Sequence, residues 1–471
     1  MLQRLARNTF IGLLGTLALR VSAFATTLVL ARGLGQDDFG IYAFVGVFIF
    51  FFSFLTDLGI ERVLTRELSR QPEHAAALVG NALLLRLALC CVAVPAAVGL
   101  ALAMGFAPEV RYCVLLAALG LPLSVDSIFR AFFQSRFQID VIYRVSLPMS
   151  VFFLLLIGVC VSMQWPVRAV FYAALLNAVA TLGLFLALTL PHIRPDFRPQ
   201  RDLIWLLLRD AGQMGAFSLM FMLAMRIDQF MLFQMRGAEE VAFYAAAVRI
   251  TEALSIVPEA LMLTVLPILA SSQRTAPERF RETYRLSFKY LTALILPVAL
   301  ILTVAREQTM RLIFGAAYVD GSAALAILAW SMYFAYNGAV YLNLVFVQAL
   351  HRLMLIVSAL ALACNVALNL ALIPTHGAAG AAAATAASAG FGYLFWTFHP
   401  ETRSFMAVCW RESLRPLASL ALASLVIFLT GAAGGWGAIA GIAVYSIALV
   451  ASGGLNRADL DVLRRHFASE R

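Results

Sequence analysis

Gly35-Gln36-Asp37-Asp38-Phe39-Gly40-Ile41-Tyr42-Ala43 recurs 202 residues later as Gly237-Ala238-Glu239-Glu240-Val241-Ala242-Phe243-Tyr244-Ala245. Each copy is a short acidic turn joining two long apolar runs. The same offset pairs Asp57 with Glu259, Val63 with Val265 and Leu64 with Leu266. Further on it drifts, and Phe133-Gln134 answers Val347-Gln348. Six apolar runs separate the copies. Six is even, so in a membrane both halves keep one orientation, related by an axis along the membrane normal, as transporter halves often are.

A bilayer-crossing helix needs about 20 mostly apolar residues. Working outward from the repeat, such runs fall at 9–31, 39–58, 78–104, 110–133, 146–164, 167–190, 210–234, 241–268, 286–305, 322–348, 353–373, 377–397, 414–432 and 436–453. They predict an all-α integral membrane protein with about 14 transmembrane helices, arranged as two pseudo-symmetric six-helix lobes plus two C-terminal helices. Residues 1–190 form the N-lobe (spans 1–6) and the Pro- and Arg-rich stretch 191–209 a cytoplasmic inter-lobe linker. Residues 210–398 form the C-lobe (spans 7–12), and 399–471 carry spans 13 and 14 and an amphipathic cytoplasmic tail, Leu455 to Phe467. The twelfth run is mostly alanine and glycine, which suits close helix packing better than lipid contact. Arg4 and Arg7 precede an apolar run too long for a signal peptide, so the first span is expected to be uncleaved.

The charges agree with this count. Apolar residues make up 62% and charged residues 13%, with a mean hydropathy of +0.87, against about 25% charged in a soluble chain. The 35 Lys+Arg include one lysine, Lys289. No Gly-Lys pair exists, which excludes the phosphate loop of the P-loop nucleotide enzymes. A Schiff-base enzyme would have only Lys289, which reads as lying beside a basic loop rather than in a pocket. With the N-terminus inside, 25 cations fall on cytoplasmic segments and 6 on outer loops, in keeping with the positive-inside rule. Four more, Arg20, Arg86, Arg226 and Arg249, lie well inside spans. An even span number also returns Arg457, Arg464, Arg465 and Arg471 to the cytoplasm. The net charge of +9 is then a topology signal, and nucleic-acid binding drops out. The longest loops, 59–77, 191–209 and 269–285, are cytoplasmic, and the outer loops are short apart from 306–321. The six cysteines lack Cys-x-x-Cys spacing and read as packing residues. The histidines sit singly, so neither a metal site nor a cofactor is expected.

Polar residues inside spans should mark a transport path. Arg20 sits mid-span, where an arginine costs about 2.5–3.5 kcal/mol unless it faces partners or water. Thr16, Arg20 and Thr27 fall within about 40° on a helical wheel, with Gly12 and Ala23 beside them, as a small wettable stripe. Arg226 is similarly deep, one turn from Gln229, while Asp228, two residues on, does not face it. Glu252 and Glu259 share a face, with Arg249 one turn before. Asp126, Arg130 and Gln134 follow at i, i+4 and i+8, nearer the cytoplasmic end. Tyr333, Asn337, Tyr341 and Gln348 line one side of span 10, and Asp57 closes span 2. Blander readings compete. Asp126–Arg130 reads equally as a structural ion pair, and Arg249–Glu252 as a helix-locking pair. Arg86 lies near enough to the cytoplasmic end to snorkel, and Asn365 and Asn369 serve equally as glue between helices. Arg20 and Arg226 are the hardest to explain this way. Guanidinium groups in a shielded cavity suit an anion, above all phosphate, and tyrosines and amides suit sugars. The residues alone therefore point to a two-lobe transporter of an anionic amphiphile.

Arg20-x-x-x-Phe-Ala-Thr-Thr-Leu-Val-Leu-Ala-Arg-Gly-Leu-Gly-Gln-Asp-Asp-Phe-Gly-Ile-Tyr-Ala43 resembles the start of a polysaccharide-biosynthesis flippase. So does the segment Leu55-Thr56-Asp57-Leu58-Gly59-Ile60-Glu61-Arg62-Val63-Leu64-Thr65-Arg66-Glu67-Leu68. Leu312-Ile313-Phe314-Gly315-Ala316-Ala317-Tyr318 and Gly377-Ala378-Ala379-Gly380-Ala381-Ala382 add to the likeness. The chain is similar to the Wzx-type oligosaccharide flippases of the multidrug/oligosaccharidyl-lipid/polysaccharide (MOP) exporter superfamily. The resemblance covers most of the chain, and its motifs mark the superfamily better than the substrate. It implies two six-helix lobes forming a V that open alternately to each side of a bacterial inner membrane, while the arginine count places both termini in the cytoplasm. It also implies a cargo of undecaprenyl-pyrophosphate-linked oligosaccharide repeat units. By position, the family's first-span arginine matches Arg20, the basic residue closing its second span matches Arg62, and its eighth-span arginine matches Arg249. Asp126, Arg226, Asp228 and Glu252 rest on the residue-level reading alone.

The expected protein is thus a flippase, not an enzyme. Its partners are a lipid-linked oligosaccharide, membrane lipids and other polysaccharide-assembly proteins. Pyrophosphate is expected on Arg20 and Arg249 with Arg226 and Arg62. The cavity or coupling polar set is Asp57, Asp126, Asp228, Glu252, Glu259, Asn337 and Tyr341. A drug/cation antiporter of the same fold is the first alternative, although central arginines repel cations. A membrane glycan polymerase would need a larger outer loop. A non-transporting membrane partner of a glycan-assembly complex is the third.

Overall fold

The computed structural model describes residues 2–431, 434–454 and 456. The amphipathic tail expected from Leu455 to Phe467, with Arg457, Arg464, Arg465 and Arg471, lies outside the described residues apart from Asn456. By packing, the chain forms two compact units, Met1–Phe233 with Gly237–Ala242, and Gln234–Arg236 with Phe243–Arg471. The first holds α1 (Leu2–Leu34), α2 (Gln36–Asp57), α3 (Ile60–Arg70), α4 (Ala75–Ala103), α5 (Pro108–Leu119), α6 (Asp126–Ser135), α7 (Ile139–Ser162), α8 (Val167–Thr189) and most of α9 (Arg201–Arg236). The second holds most of α10 (Ala238–Leu254), then α11 (Ile256–Thr275), α12 (Pro277–Val304), α13 (Arg306–Ile313), α14 (Ser322–Val347), α15 (His351–Phe398), α16 (Arg403–Thr430) and α17 (Gly434–Ala451).

Among the described residues, twelve helical stretches are long and apolar enough to cross a membrane. The run expected at 210–234 falls in α9, which is 36 residues long. Those expected at 353–373 and 377–397 share α15, whose 48 residues are broken at Gly377 (φ 52, ψ −129). The two arms of α15 fold back on each other. Asn365 Nδ2 donates to Ser388 Oγ at 3.2 Å, and a Cβ on Gly380 would strike the Leu372 carbonyl. The alanine-rich twelfth run is therefore the returning arm of a hairpin. Its Ala381, Ala382 and Ala384 are wholly buried, because small side chains let helix backbones come close.

The 202-residue repeat extends to the helix ends. α1 and α9 end at 34 and 236, α2 and α10 begin at 36 and 238, and α4 and α12 begin at 75 and 277. Gly35 (φ 81, ψ 170) and Gly237 (φ 90, ψ −171) share one backbone conformation between their helices, one open to glycine because it lacks a Cβ. Both halves also break the second run, at Leu58-Gly59 between α2 and α3 and at Ser255 between α10 and α11.

In the first unit α1 packs on α7, α2 on α4 and α5, and α3 on α6. Phe44 stacks on Phe233 with ring centroids 3.6 Å apart, and Phe106 meets both rings edge-on. In the second unit α12 packs on α14, α16 and α17, so the last two helices belong to that unit's core. Large apolar side chains such as Val92, Leu155 and Phe428 point outward, as lipid contact permits.

Two expectations change. The long stretches 59–77 and 269–285 are helical: α3 occupies the first, and α11 and α12 meet across Ala276 in the second. α3 buries Ile60, Val63, Leu64 and Leu68 while exposing Arg62 and Arg66, so it is an amphipathic helix whose polar face hid it among loop charges. Lys289 does not lie beside a loop. It is on α12 and 5% exposed, because that helix begins at Pro277 and turns this face toward its neighbours.

Candidate functional site

An ionic cluster in the first unit forms where two spans are interrupted. α2 ends at Asp57, Leu58 and Gly59 take positive φ (47 and 93), and α3 restarts at Ile60. α5 ends at Leu119, and a 3-10 turn at Pro122–Val125 leads into α6 at Asp126. Arg86, mid-way along α4 and 5% exposed, reaches both breaks. Its Nη1 donates to Asp57 Oδ1 at 3.1 Å and to Ser127 Oγ, and its Nη2 donates to Ser124 Oγ at 3.3 Å. Asp57 Oδ2 accepts the Gly59 N–H at 3.2 Å, a local turn that bridges the break before α3. Beside them Arg130 pairs with Asp126 at 3.5 Å. Glu61 lies within electrostatic reach of Arg130, Asp57, Arg86 and Asp126. Arg86 and Glu61 were not in the expected site. In the sequence Arg86 reads equally as a snorkelling residue, and the i, i+4 register of Asp126–Arg130 gives no sign of a partner on α4.

Arg20 is half-buried on α1, and its stripe is divided. Tyr143 of α7 donates to the Gly12 carbonyl at 3.0 Å and bonds Thr16 Oγ1 at 2.9 Å. Thr27 is buried and donates to Ala23 O. Arg62 is exposed on α3, and Arg226 is half-buried on α9. Asp228 is buried, its Oδ1 accepting the Gln229 N–H at 2.7 Å.

In the second unit, Arg249 and Glu252 form an i, i+3 ion pair at 3.0 Å, with side chains 40% and 36% exposed. Ser255, at the helix break, bonds the Glu252 backbone carbonyl at 2.7 Å and the Glu259 carboxylate, at Oε1, at 3.3 Å, which ties the Glu259 side chain to the break while the Glu252 carboxylate stays with Arg249. Tyr336 donates to Leu254 O at the same break. Asn337 is wholly buried. It accepts from Thr292 Oγ1 at 3.0 Å and donates to Tyr333 O at 3.0 Å. Tyr333 continues to Ser413 Oγ at 3.2 Å, tying α12, α14 and α16 together. Tyr341 packs against Trp396, ring centroids 5.2 Å apart. Asn369 donates to Asn365 within the hairpin.

Residues 5–273 match the family described as polysaccharide biosynthesis protein. No curated protein sequence matches the chain. Among solved structures, lipid II flippase MurJ in an inward closed conformation is similar at a TM-score of 0.74 and 12% identity, covering 92% of this chain and 97% of that one. An inward-facing multidrug resistance MATE transporter of the MOP superfamily is similar at 0.68 and 17%, covering 83% and 96%. A MOP superfamily transporter from Pyrococcus furiosus is similar at 0.58 and 18%, covering 86% and 96%. These likenesses show the fold, a two-lobed bundle of membrane-spanning helices.

Proposed function

Since the chain belongs to the polysaccharide biosynthesis protein family, we propose that it is a flippase. It carries undecaprenyl-pyrophosphate-linked oligosaccharide repeat units across a bacterial inner membrane, by alternating access to a cationic central cavity and without enzymatic turnover. The observation that carries this reading is that three mid-helix arginines keep access within their own units. Arg20 and Arg226 are half-buried, and the Arg249 side chain is 40% exposed although paired with Glu252. Arginine at such depth costs about 2.5–3.5 kcal/mol without water or a partner, and its forked donors match pyrophosphate oxygens.

In this mechanism the pyrophosphate docks on Arg20 and Arg249 with Arg226, Arg62 receives it at the cytoplasmic entrance, and the sugars occupy the polar space. Asp57 and Asn337, bonded inside their own units, hold helices rather than face the cargo. Asp126, Asp228, Glu252, Glu259 and Tyr341 are the remaining polar candidates. Residues 1–190 and 210–398 act as the rocking lobes, supported by helix ends that repeat at one offset, and α16 and α17, packed on α12, move with the second.

The test exchanges Arg20 for alanine and for lysine and measures surface glycan in a flippase-deleted host at matched expression. Alanine should abolish most of the glycan and lysine should retain part of it. Full activity of the alanine variant would sink anion docking at this residue. Export of a cationic dye would favour a drug antiporter instead, and loss of glycan with intact reconstituted flipping would favour a partner of an assembly complex.

A further inference from the structure

The segment between α8 and α9 leaves one span and enters the next, yet it does not hang free. The Asp196 N–H donates to Ala76 O at 2.9 Å and the Gln200 N–H to Asn81 Oδ1 at 2.8 Å. Both acceptors lie in the first two turns of α4, so the segment is held level with the ends of spans, where headgroups lie. Ile193, Leu203, Ile204 and Leu207 pack on the apolar core of α3, α4 and α6. The outward side is different. Phe197 is 54% and Trp205 64% exposed, and Arg194, Arg198 and Arg201 are exposed beside them. On α9, Arg201, Trp205 and Arg209 follow at i, i+4 and i+8 on one outward face. Among the described residues Arg194, Arg198 and Arg201 form no ion pair. Asp196 turns its carboxylate to the backbone, where Oδ1 accepts the Arg198 N–H at 3.1 Å.

We propose that this segment is a docking surface for anionic phospholipid headgroups, of the kind phosphatidylglycerol carries. Aromatic rings at span ends settle at the headgroup level, where one side is apolar and the other wet. Guanidinium groups beside them attract the phosphodiester, each arginine near the surface strengthening the contact about 5-fold. A merely solvated linker needs neither two outward aromatics nor a buried asparagine fixing the backbone that carries them. Held this way, rings and cations form one surface and little of it has to be ordered on contact. In the proposed orientation the surface meets the cytoplasmic leaflet, whose potential is negative. The inference needs only that the chain spans a membrane. It depends neither on the cargo nor on the arginines proposed to hold it.

The test uses the full-length protein in phosphatidylcholine vesicles with a minor share of brominated phosphatidylglycerol or, in the second arm, of brominated phosphatidylcholine. The fluorescence quenching that belongs to Trp205 is the part that Trp205→Phe removes. At low salt it should be several-fold larger with the brominated phosphatidylglycerol, and the excess should fall as salt is raised. Arg194→Gln, Arg198→Gln and Arg201→Gln combined should remove most of the excess. Arg274→Gln, Arg281→Gln and Arg403→Gln combined, at exposed positions of the second unit, change the net charge equally and should leave it. Equal quenching by the two lipids, or an excess that survives the first triple exchange, overturns the proposal. A Trp205 that neither lipid quenches also overturns it and turns the surface toward a protein partner. An excess abolished by a trace of lipid-linked oligosaccharide overturns it too, by making the surface part of the cargo path.

Discussion

At the scale of single residues, Arg86 bears the most structure. One guanidinium bonds Asp57 and two serines across two broken spans, so removing it takes the counter-charge from an Asp57 carboxylate that is 30% exposed. Loss of one partner of a fully buried pair costs about 3–5 kcal/mol, and the water reaching Asp57 brings the cost here below that. Arg86→Ala should therefore lower the thermal midpoint of the detergent-solubilised protein sharply. Combining Arg86→Gln with Asp57→Asn should recover part of that loss, because the second change removes the stranded charge. An additive double variant would count against the pairing. This role was not legible in the sequence. Arg20 stood out because it sits mid-run, whereas Arg86 lies about three turns into its helix, where length alone lets a side chain escape to the interface. Its partners are 29 and 41 residues away, and no local spacing rule reaches that far. Glu61 escaped notice for the same reason, and Lys289 because its helix starts earlier than the hydropathy suggests.

At the scale of elements, periodicity and small residues were readable, while the treatment of polar segments was not. The alanine-rich twelfth run became a hairpin arm as its composition implies. The inter-lobe segment 191–200, by contrast, is strapped to the first unit. The Asp196 N–H donates to Ala76 O at 2.9 Å and the Gln200 N–H to Asn81 Oδ1 at 2.8 Å, while Asn81 Nδ2 donates to Arg198 O at 3.2 Å. Asn81 is wholly buried, and a Cβ on the adjoining Gly80 would collide with the Asp196 backbone. Ile193 and Leu207 join the apolar core of α3, α4 and α6. A Pro- and Arg-rich linker looks like a loose tether, and one asparagine acting as a substitute backbone makes it a fixed strap. Asn81→Ala should cost about 1–3 kcal/mol by leaving buried backbone groups unpaired. It should also speed amide hydrogen exchange across 195–200 with little change in α7 and α8. Unchanged exchange in the strap would show that the clamp does not hold it.

At the scale of the whole molecule, the repeat decides orientation. In the proposed topology, halves six runs apart share one direction through the bilayer, and the cations then choose which side is inside. The arginine bias is strong because 34 of the 35 cations are arginines, which remain charged at any working pH. In the proposed topology that surplus puts 191–200 and the α11–α12 junction at Ala276 in the cytoplasm, and the turns after α7 and α13, at Gln164 and Gly315, on the opposite face. Reporter fusions truncated after residues 200 and 275 should be active only with a cytoplasmic reporter, such as a fluorescent protein. Fusions after 164 and 315 should be active only with a reporter that needs export, such as alkaline phosphatase. Should the two pairs exchange sides, the orientation is reversed and Arg62 would face away from the side on which the cargo is made. If the first pair disagrees with itself, a span has been lost between α9 and α11, and the even count that gives both halves one direction fails with it. The fusions therefore test the repeat and the charge rule together, and only agreement at all four sites leaves a transporter whose halves can rock as equivalents.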